Sequence, residues 1–240
     1  MPPIAIDDAT LLDAWDRAGP LARPWRELTL LAAAGESVEV LARLPVGERD
    51  RRLLELRSAW LGDRVDGETI CPECDERLEL TLSASAIGCP AIESALESSV
   101  EHGEYRVRFR LPTSADLVES GSGPNAASVL LALCVLEAAR GHQQLDADAL
   151  PAETRAAVVS RMSALDPQAD VRLALDCPAC GHRWDAELDV AGYVLAEIDT
   201  HAARLLREVH GLARAYGWSE AEILALSPRR RRQYLELAWS

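Results

Sequence analysis

Four of the six cysteines fall in two Cys-Pro-x-Cys pairs, Cys71-Pro72-Glu73-Cys74 and Cys177-Pro178-Ala179-Cys180, with 102 residues between Cys74 and Cys177. Two residues between cysteines let a tight turn aim both sulfurs at one ion, while backbone amides donate to the sulfurs. Proline stiffens such a turn. The residue after the second cysteine often needs a left-handed backbone; Gly181 suits that position and Asp75 tolerates it. Two such turns predict one closed, tetrahedral, structural Zn2+ site on Cys71, Cys74, Cys177 and Cys180, with no position left open for catalysis. The entropy of closing so long a loop grows only logarithmically. Structural zinc supplies roughly 10–16 kcal/mol, which exceeds that increment.

Other uses of these cysteines fit less well. A redox pair of the thioredoxin type opens a helix after a buried strand, whereas both pairs here precede polar, strand-like segments. Cys134 sits in an apolar stretch and reads as core, and Cys89, before Pro90, has no partner at ligand spacing. His182 lies two residues beyond Cys180 and reads as a solvated turn histidine rather than a ligand.

Around the pairs, the periodicity alternates between helix and strand. Apolar residues at helical spacing predict helices near Leu11–Trp15, after Pro24 and over Glu48–Leu61, with stops at Gly35 and Gly62. Arg77–Leu82 and Tyr105–Leu111 alternate as half-buried strands, the second with Val107, Phe109 and Leu111 inward and Arg106, Arg108 and Arg110 on a solvated face. Residues 112–165 read as helical, including an apolar helix Ala126–Arg140 capped by Asn125 and a further helix within Ala147–Leu165. Val171–Asp176 and Arg183–Leu188 read as strands, and Val190–His210 as a long amphipathic helix. Two short helices close the chain, opened by the capping box Ser219-x-x-Glu222 and by Ser227-Pro228.

The expected fold class is therefore α+β and mostly helical: a small antiparallel zinc-ribbon sheet split by a helical insertion, with a C-terminal helix pair. The segments are 1–62 (N-terminal, helical), 63–189 (split ribbon, insertion at about 83–170) and 190–240 (long helix plus short pair).

Charge narrows the function classes. The chain has 240 residues, is 48% hydrophobic, and carries a net charge of −14, all 25 of its basic residues being arginine. That acidity disfavours nucleic acid as the general partner and is compatible with proteins. Residues 201–240 reverse the trend, with seven arginines against four glutamates, four of the arginines consecutive at Arg229–Arg232. No phosphate-binding, nucleophile-elbow or His-Glu-x-x-His motif occurs, so neither an enzyme nor a small-molecule substrate is expected. The segment Met1–Asp13 lacks the pattern of a secretory signal. The longest apolar run, near Ala126–Ala139, falls short of the roughly 18–20 residues that span a bilayer. A cytoplasmic protein without membrane contact is expected.

Several stretches resemble one family. Leu44-Pro-Val-Gly-Glu-Arg-Asp-Arg-Arg-Leu-Leu-Glu-Leu-Arg, running through Trp60-Leu-Gly-Asp-Arg into Cys-Pro-Glu-Cys, is similar to the baseplate hub assembly chaperone-like proteins of T4-type contractile phage tails, as is Asp176-Cys-Pro-Ala-Cys-Gly-His. The tail from Val209 through Arg229-Arg-Arg-Arg-Gln-Tyr-Leu is similar too. The resemblance covers about 44–82 and 171–239. It implies a role in assembling the baseplate hub or spike of a contractile tail or injection system, or a permanent place in the baseplate, and offers no catalytic residues. A zinc-ribbon DNA-binding regulator is the weaker alternative. Tyr216, Trp218, Tyr234 and Trp239 beside Arg229, Arg230, Arg231 and Arg232 are the candidate partner contact, being residue types that dominate interface hot spots. Gluing the last two helices to the body is the plainer reading of the aromatics.

Overall fold

The computed structural model describes residues 7–89 and 97–239; Pro90 and the first six residues lie outside that range. Local chemistry sets the N-terminal helices. Asp7 caps α1 (Asp8–Ala18) by accepting the Thr10 N–H at 2.8 Å. Pro24 precedes α2 (Trp25–Ala32), and Ser37 caps the short α3 (Val38–Leu41). Pro45 precedes α4 (Val46–Leu61), which Gly62 ends with φ +83°, a conformation that favours glycine.

These helices bury Leu11, Leu28, Leu53 and Leu56 against Val194, Ile198 and Leu205 of the long α9 (Val190–Tyr216), forming the main core. Each such side chain contributes about 1.5–3 kcal/mol by leaving water. Ion pairs reinforce the contact. Arg23 makes a bidentate pair with Asp189 at 2.7 and 3.0 Å, and Asp189 also accepts the Gly192 N–H to cap α9. Buried Arg57 makes a bidentate pair with Glu197 at 2.6 and 2.9 Å.

Between α4 and α9 the chain makes two separate hairpins and a third body between them. The first hairpin pairs β1 (Arg64–Ile70) with β2 (Arg77–Ser83), and α5 (Ala84–Ile87) follows it. The second pairs β7 (Arg172–Asp176) with β8 (Arg183–Glu187). Each is its own two-stranded antiparallel sheet rather than half of a shared one. Gly67 and the charges of β1 hide that strand from periodicity, and pairing with β2 decides it.

The stretch between the hairpins differs from the helical insertion expected. It holds a four-stranded antiparallel sheet in the order β3 (Glu97–His102), β4 (Tyr105–Arg110), β5 (Val135–Arg140), β6 (Gln143–Leu145), with α6 (Ser114–Ser120), α7 (Ala126–Cys134) and α8 (Ala152–Leu165). The helix expected over Ala126–Arg140 stops at Cys134. Its second half becomes β5, because pairing with β4 sets Ala138 opposite Val107 and buries it with Phe109 and Val158. An apolar run has no period that separates strand from helix, so the available β4 edge decides. Val107, Phe109 and Leu111 do face inward. On the opposite face Arg106 pairs with Glu101, Arg108 with Glu97 and Glu137, and Arg110 with Asp116.

This body is fixed to the helical core at the start of α4. Val46 N–H donates to Pro112 O at 3.0 Å, and Gly47 N–H donates to the buried Asp166 carboxylate at 2.9 Å. A Cβ on Gly47 would lie 1.8 Å from Asp166 Oδ1, so the approach requires glycine. Beyond Gly217, which ends α9 in the left-handed conformation, α10 (Glu220–Leu224) and α11 (Pro228–Ala238) pack on α9 through Leu212, Ile223 and Leu235. Their expected caps form: Ser219 and Glu222 make the capping box, and Ser227 caps α11 with Pro228 at its first position. Among the described residues no helix is long and apolar enough to cross a membrane.

Candidate metal centre

The two hairpin tips are near copies of each other. In the first, Asp75 N–H donates to Cys71 O at 3.0 Å and Cys71 N–H to Glu76 O at 2.9 Å. In the second, Gly181 N–H donates to Cys177 O and Cys177 N–H to His182 O, both at 2.9 Å. The residue after the second cysteine is left-handed in both, with φ +58° at Asp75 and +74° at Gly181. Among the described residues Asp75 is the only non-glycine with positive φ, which its short polar side chain tolerates.

The tips meet sulfur to sulfur. Cys71 Sγ lies 3.8 Å from Cys180 Sγ and Cys74 Sγ 3.6 Å from Cys177 Sγ, and all four sulfurs fall within 4.8 Å of one another. A tetrahedron with metal–sulfur bonds of about 2.3 Å has edges of about 3.8 Å. The spacing therefore matches a four-thiolate cage, and the four cysteines can bind a metal ion. Cys71 and Cys177 are buried, whereas Cys74 and Cys180 sit at the surface.

Electrostatics favours a cation here. The Cys177 thiol is lowered to about 7, chiefly by the Cys180 backbone amide, with help from that of Ala179. At Cys74 the Glu76 amide acts in the lowering direction, but hydrogen bonding to the neighbouring sulfurs and burial outweigh it and push the thiol up to about 12. Four crowded sulfurs cannot all ionise by themselves, because each thiolate raises the next. A divalent cation removes that conflict.

The apolar support is thin: Leu78 is buried with Cys71 and Cys177, and Trp184 packs beside them. The His182 ring stacks on Trp184 at 5.8 Å, and His182 is not part of the four-ligand group. Cys134 is buried, its thiol pushed up to about 11 by burial, and Cys89 donates its N–H to Gln168 Oε1; neither joins the cluster.

Sequence reasoning missed two anchors at the hairpin bases. Buried Arg57 donates to Gly62 O at 2.5 Å and to Arg64 O, and Tyr193 OH donates to Asp66 O at 2.9 Å, tying the first hairpin to α4 and α9. The second hairpin closes through Leu188 N–H to Val171 O at 2.9 Å. Arg57 lies in a run of charged residues, and nothing local marks it as buried.

At the other end of the molecule the candidate contact residues divide. Tyr216 and Trp218 stack at 4.7 Å, and Tyr234 meets the Trp218 ring edge-on at 5.0 Å, so the end of α9, the turn after it and α11 bring three rings into one cluster. Arg231 turns inward and is 2% exposed, donating to Glu208 at 3.0 Å, Asp8 at 2.5 Å and Leu226 O at 2.8 Å. It clamps the terminal helix to the body and is not a surface group. Arg229, Arg230 and Arg232 are exposed, as is Trp239.

Comparison with known proteins adds one finding. A family model described as "T4 bacteriophage base plate protein" matches residues 29–193, from the middle of α2 to the first turn of α9. The matched range takes in both cysteine pairs and everything between them, and leaves out α10 and α11. No curated protein and no solved structure matches the chain.

Proposed function

The chain belongs to the T4 bacteriophage base plate protein family, and on that premise we propose that it is a non-enzymatic assembly factor for the hub or spike of a contractile tail or injection system. One structural Zn2+ on Cys71, Cys74, Cys177 and Cys180 joins its two hairpins. The family match over 29–193 carries the baseplate part of this reading. The four sulfurs at tetrahedral spacing carry the metal part.

In this reading the zinc is a clasp. It supplies no chemistry beyond joining two turns that share little apolar surface, and it thereby sets the hairpins, and the sheet body between them, against the helical core. Partner contact is assigned to the C-terminal module, where Tyr216, Trp218 and Tyr234 make a rigid aromatic cluster beside exposed Arg229, Arg230 and Arg232, with Trp239 at the end. Assembly then takes place in the cytoplasm.

The test is a tagged pull-down from the native host, read by mass spectrometry beside purified particles. Hub or spike subunits in the pull-down, with this protein missing from particles, support an assembly factor. Fixed stoichiometry in finished particles makes it a permanent subunit instead. Truncation at Ser219 should abolish capture of the hub subunit while leaving a folded, zinc-loaded core, and unimpaired capture would remove the C-terminal module from the proposal.

A further inference from the structure

The four sulfurs of the cysteine cluster are placed to react with one another as well as to hold an ion. Hydrogen-bonded sulfur contacts run across the two hairpins: Cys71 Sγ meets Cys180 Sγ at 3.8 Å, and Cys74 Sγ meets Cys177 Sγ at 3.6 Å. Each contact joins a buried cysteine to an exposed one, and the first hairpin to the second. Cys74 and Cys180 therefore meet a solvent-borne oxidant first, while Cys177 and Cys71 stand behind them as thiols able to resolve the oxidised sulfur. Glu73, Asp75 and Glu76 flank Cys74 in the chain and are exposed. Their charge holds off anionic oxidants and leaves neutral hydrogen peroxide unhindered. Cys89 and Cys134 lie outside the cluster.

We propose that the cluster is a modification site for peroxide, which converts it to two crosswise disulfides, Cys71 with Cys180 and Cys74 with Cys177, that release the metal and keep the hairpin tips joined. The metal released rests on the zinc reading above; the pairing rests on the sulfur contacts alone. Peroxide transfers one oxygen to the Cys74 thiol, giving a sulfenic acid and one water. The Cys177 sulfur then attacks the Cys74 sulfur. The S–S bond forms, the S–O bond breaks, and the departing hydroxide takes the Cys177 proton and leaves as a second water. The same two steps at Cys180 and Cys71 consume a second peroxide. Each disulfide gives up two electrons, and one peroxide accepts them. Where the sulfurs start as metal-bound thiolates, solvent supplies the protons.

A disulfide has an S–S bond of about 2.05 Å, so each crosswise contact closes by less than about 2 Å. A bond within one Cys-Pro-x-Cys turn would leave the two tips without a link. The crosswise bonds join positions 109 and 103 residues apart, and so take over the joining that the ion performs. A chain that loses its ion by oxidation therefore keeps its tips together, whereas a chain that loses it by chelation does not. Thiol reductants reverse the bonds and restore the four ligands.

Titration of the full chain with hydrogen peroxide tests this. Metal content is measured first, free thiols are then alkylated, and the unreduced digest is mapped by mass spectrometry. Peptides linking Cys71 to Cys180 and Cys74 to Cys177 are expected as the main products, with Cys89 and Cys134 unlinked. Zinc should appear in solution in step with the bonds, as read with a chromogenic indicator. The oxidised, zinc-free chain should resist protease at both tips, where the chelated, reduced chain is cut. Main products linked within one turn, or Cys71 to Cys177 and Cys74 to Cys180, overturn the proposal. So do oxidation to sulfinic acids without disulfides and tips cut as readily as after chelation. Crosswise bonds in a chain that never carried metal would overturn the zinc reading alone. Bonds within the turns of a zinc-loaded chain would overturn the crosswise clasp and leave that reading standing.

Discussion

The protein contains two kinds of β-structure, closed by different means. The four-stranded sheet has its own apolar interior, in which Val107, Phe109, Ala138, Leu150 and Val158 are buried together. The paired hairpins have almost none at their tips: no residue of β7 or β8 is fully buried, and among the described residues only Leu78 and Trp184 pack beside the sulfurs. The sheet is held by removal of side chains from water, a force spread over many contacts. The hairpins are held to each other at one point. Their pairing should therefore fail all at once when the proposed ion is removed, while the sheet should weaken in steps.

The largest expected effect is at the sulfurs. Cys177→Ser, or chelation of the native protein, should release one zinc per chain by elemental analysis and open both tips to protease. A site of this kind carries roughly 10–16 kcal/mol of binding free energy. The peptides of β3–β5 should keep their hydrogen-exchange protection. Loss of that protection at the same chelator concentration would mean the two regions do not fold separately.

Phe109→Ala reverses the pattern. It empties a fully buried site in the sheet and should cost about 3–5 kcal/mol in urea unfolding, with zinc content unchanged. Loss of zinc in this variant would show that the sheet holds the hairpins in place rather than the metal.

Gly47→Ala addresses the junction. The added methyl collides with Asp166 Oδ1, and overpacking of this sort costs about 1–3 kcal/mol. Faster exchange confined to Pro112–Asp116 and Asp166–Ala169 is expected, with both the metal site and the interior of the sheet intact.

The smallest effect concerns charge at the same junction. Burial pushes the Asp166 carboxyl above its ordinary 3.8. A raised acid contributes stability that is fully present below about pH 3.8 and is lost as the pH rises through the folded value. Asp166→Asn keeps an acceptor for the Gly47 N–H without the charge. Its stability relative to wild type should therefore increase with pH over that window, as read from urea midpoints across a pH series. A difference that stays flat would show that Asp166 is not titrating at the junction.

The four-cysteine cluster was almost fully legible in the chain. Spacing supplied the two turns, and Asp75 and Gly181 occupy the left-handed positions their neighbours require. The four-stranded sheet was legible only at β4, which could be read from its alternation; β3, β5 and β6 could not. At the C-terminus the helix caps were readable, whereas the direction of each arginine in Arg229–Arg232 was not.

The sequence by itself determined the features whose partners lie within a few residues: turns at the cysteine pairs, the caps at Ser219 and Ser227, and the stop at Gly62. Tertiary structure alone decided that an apolar run ends as helix at Cys134 and continues as strand, that Gly47 receives a carboxylate from 119 positions away, and that Arg231 turns inward to Asp8 and Glu208. The physical reason is range. A cap or a tight turn is settled by hydrogen bonds a few residues long. A strand edge, a close backbone approach and a buried ion pair each depend on a group that reaches its partner only after the chain has folded.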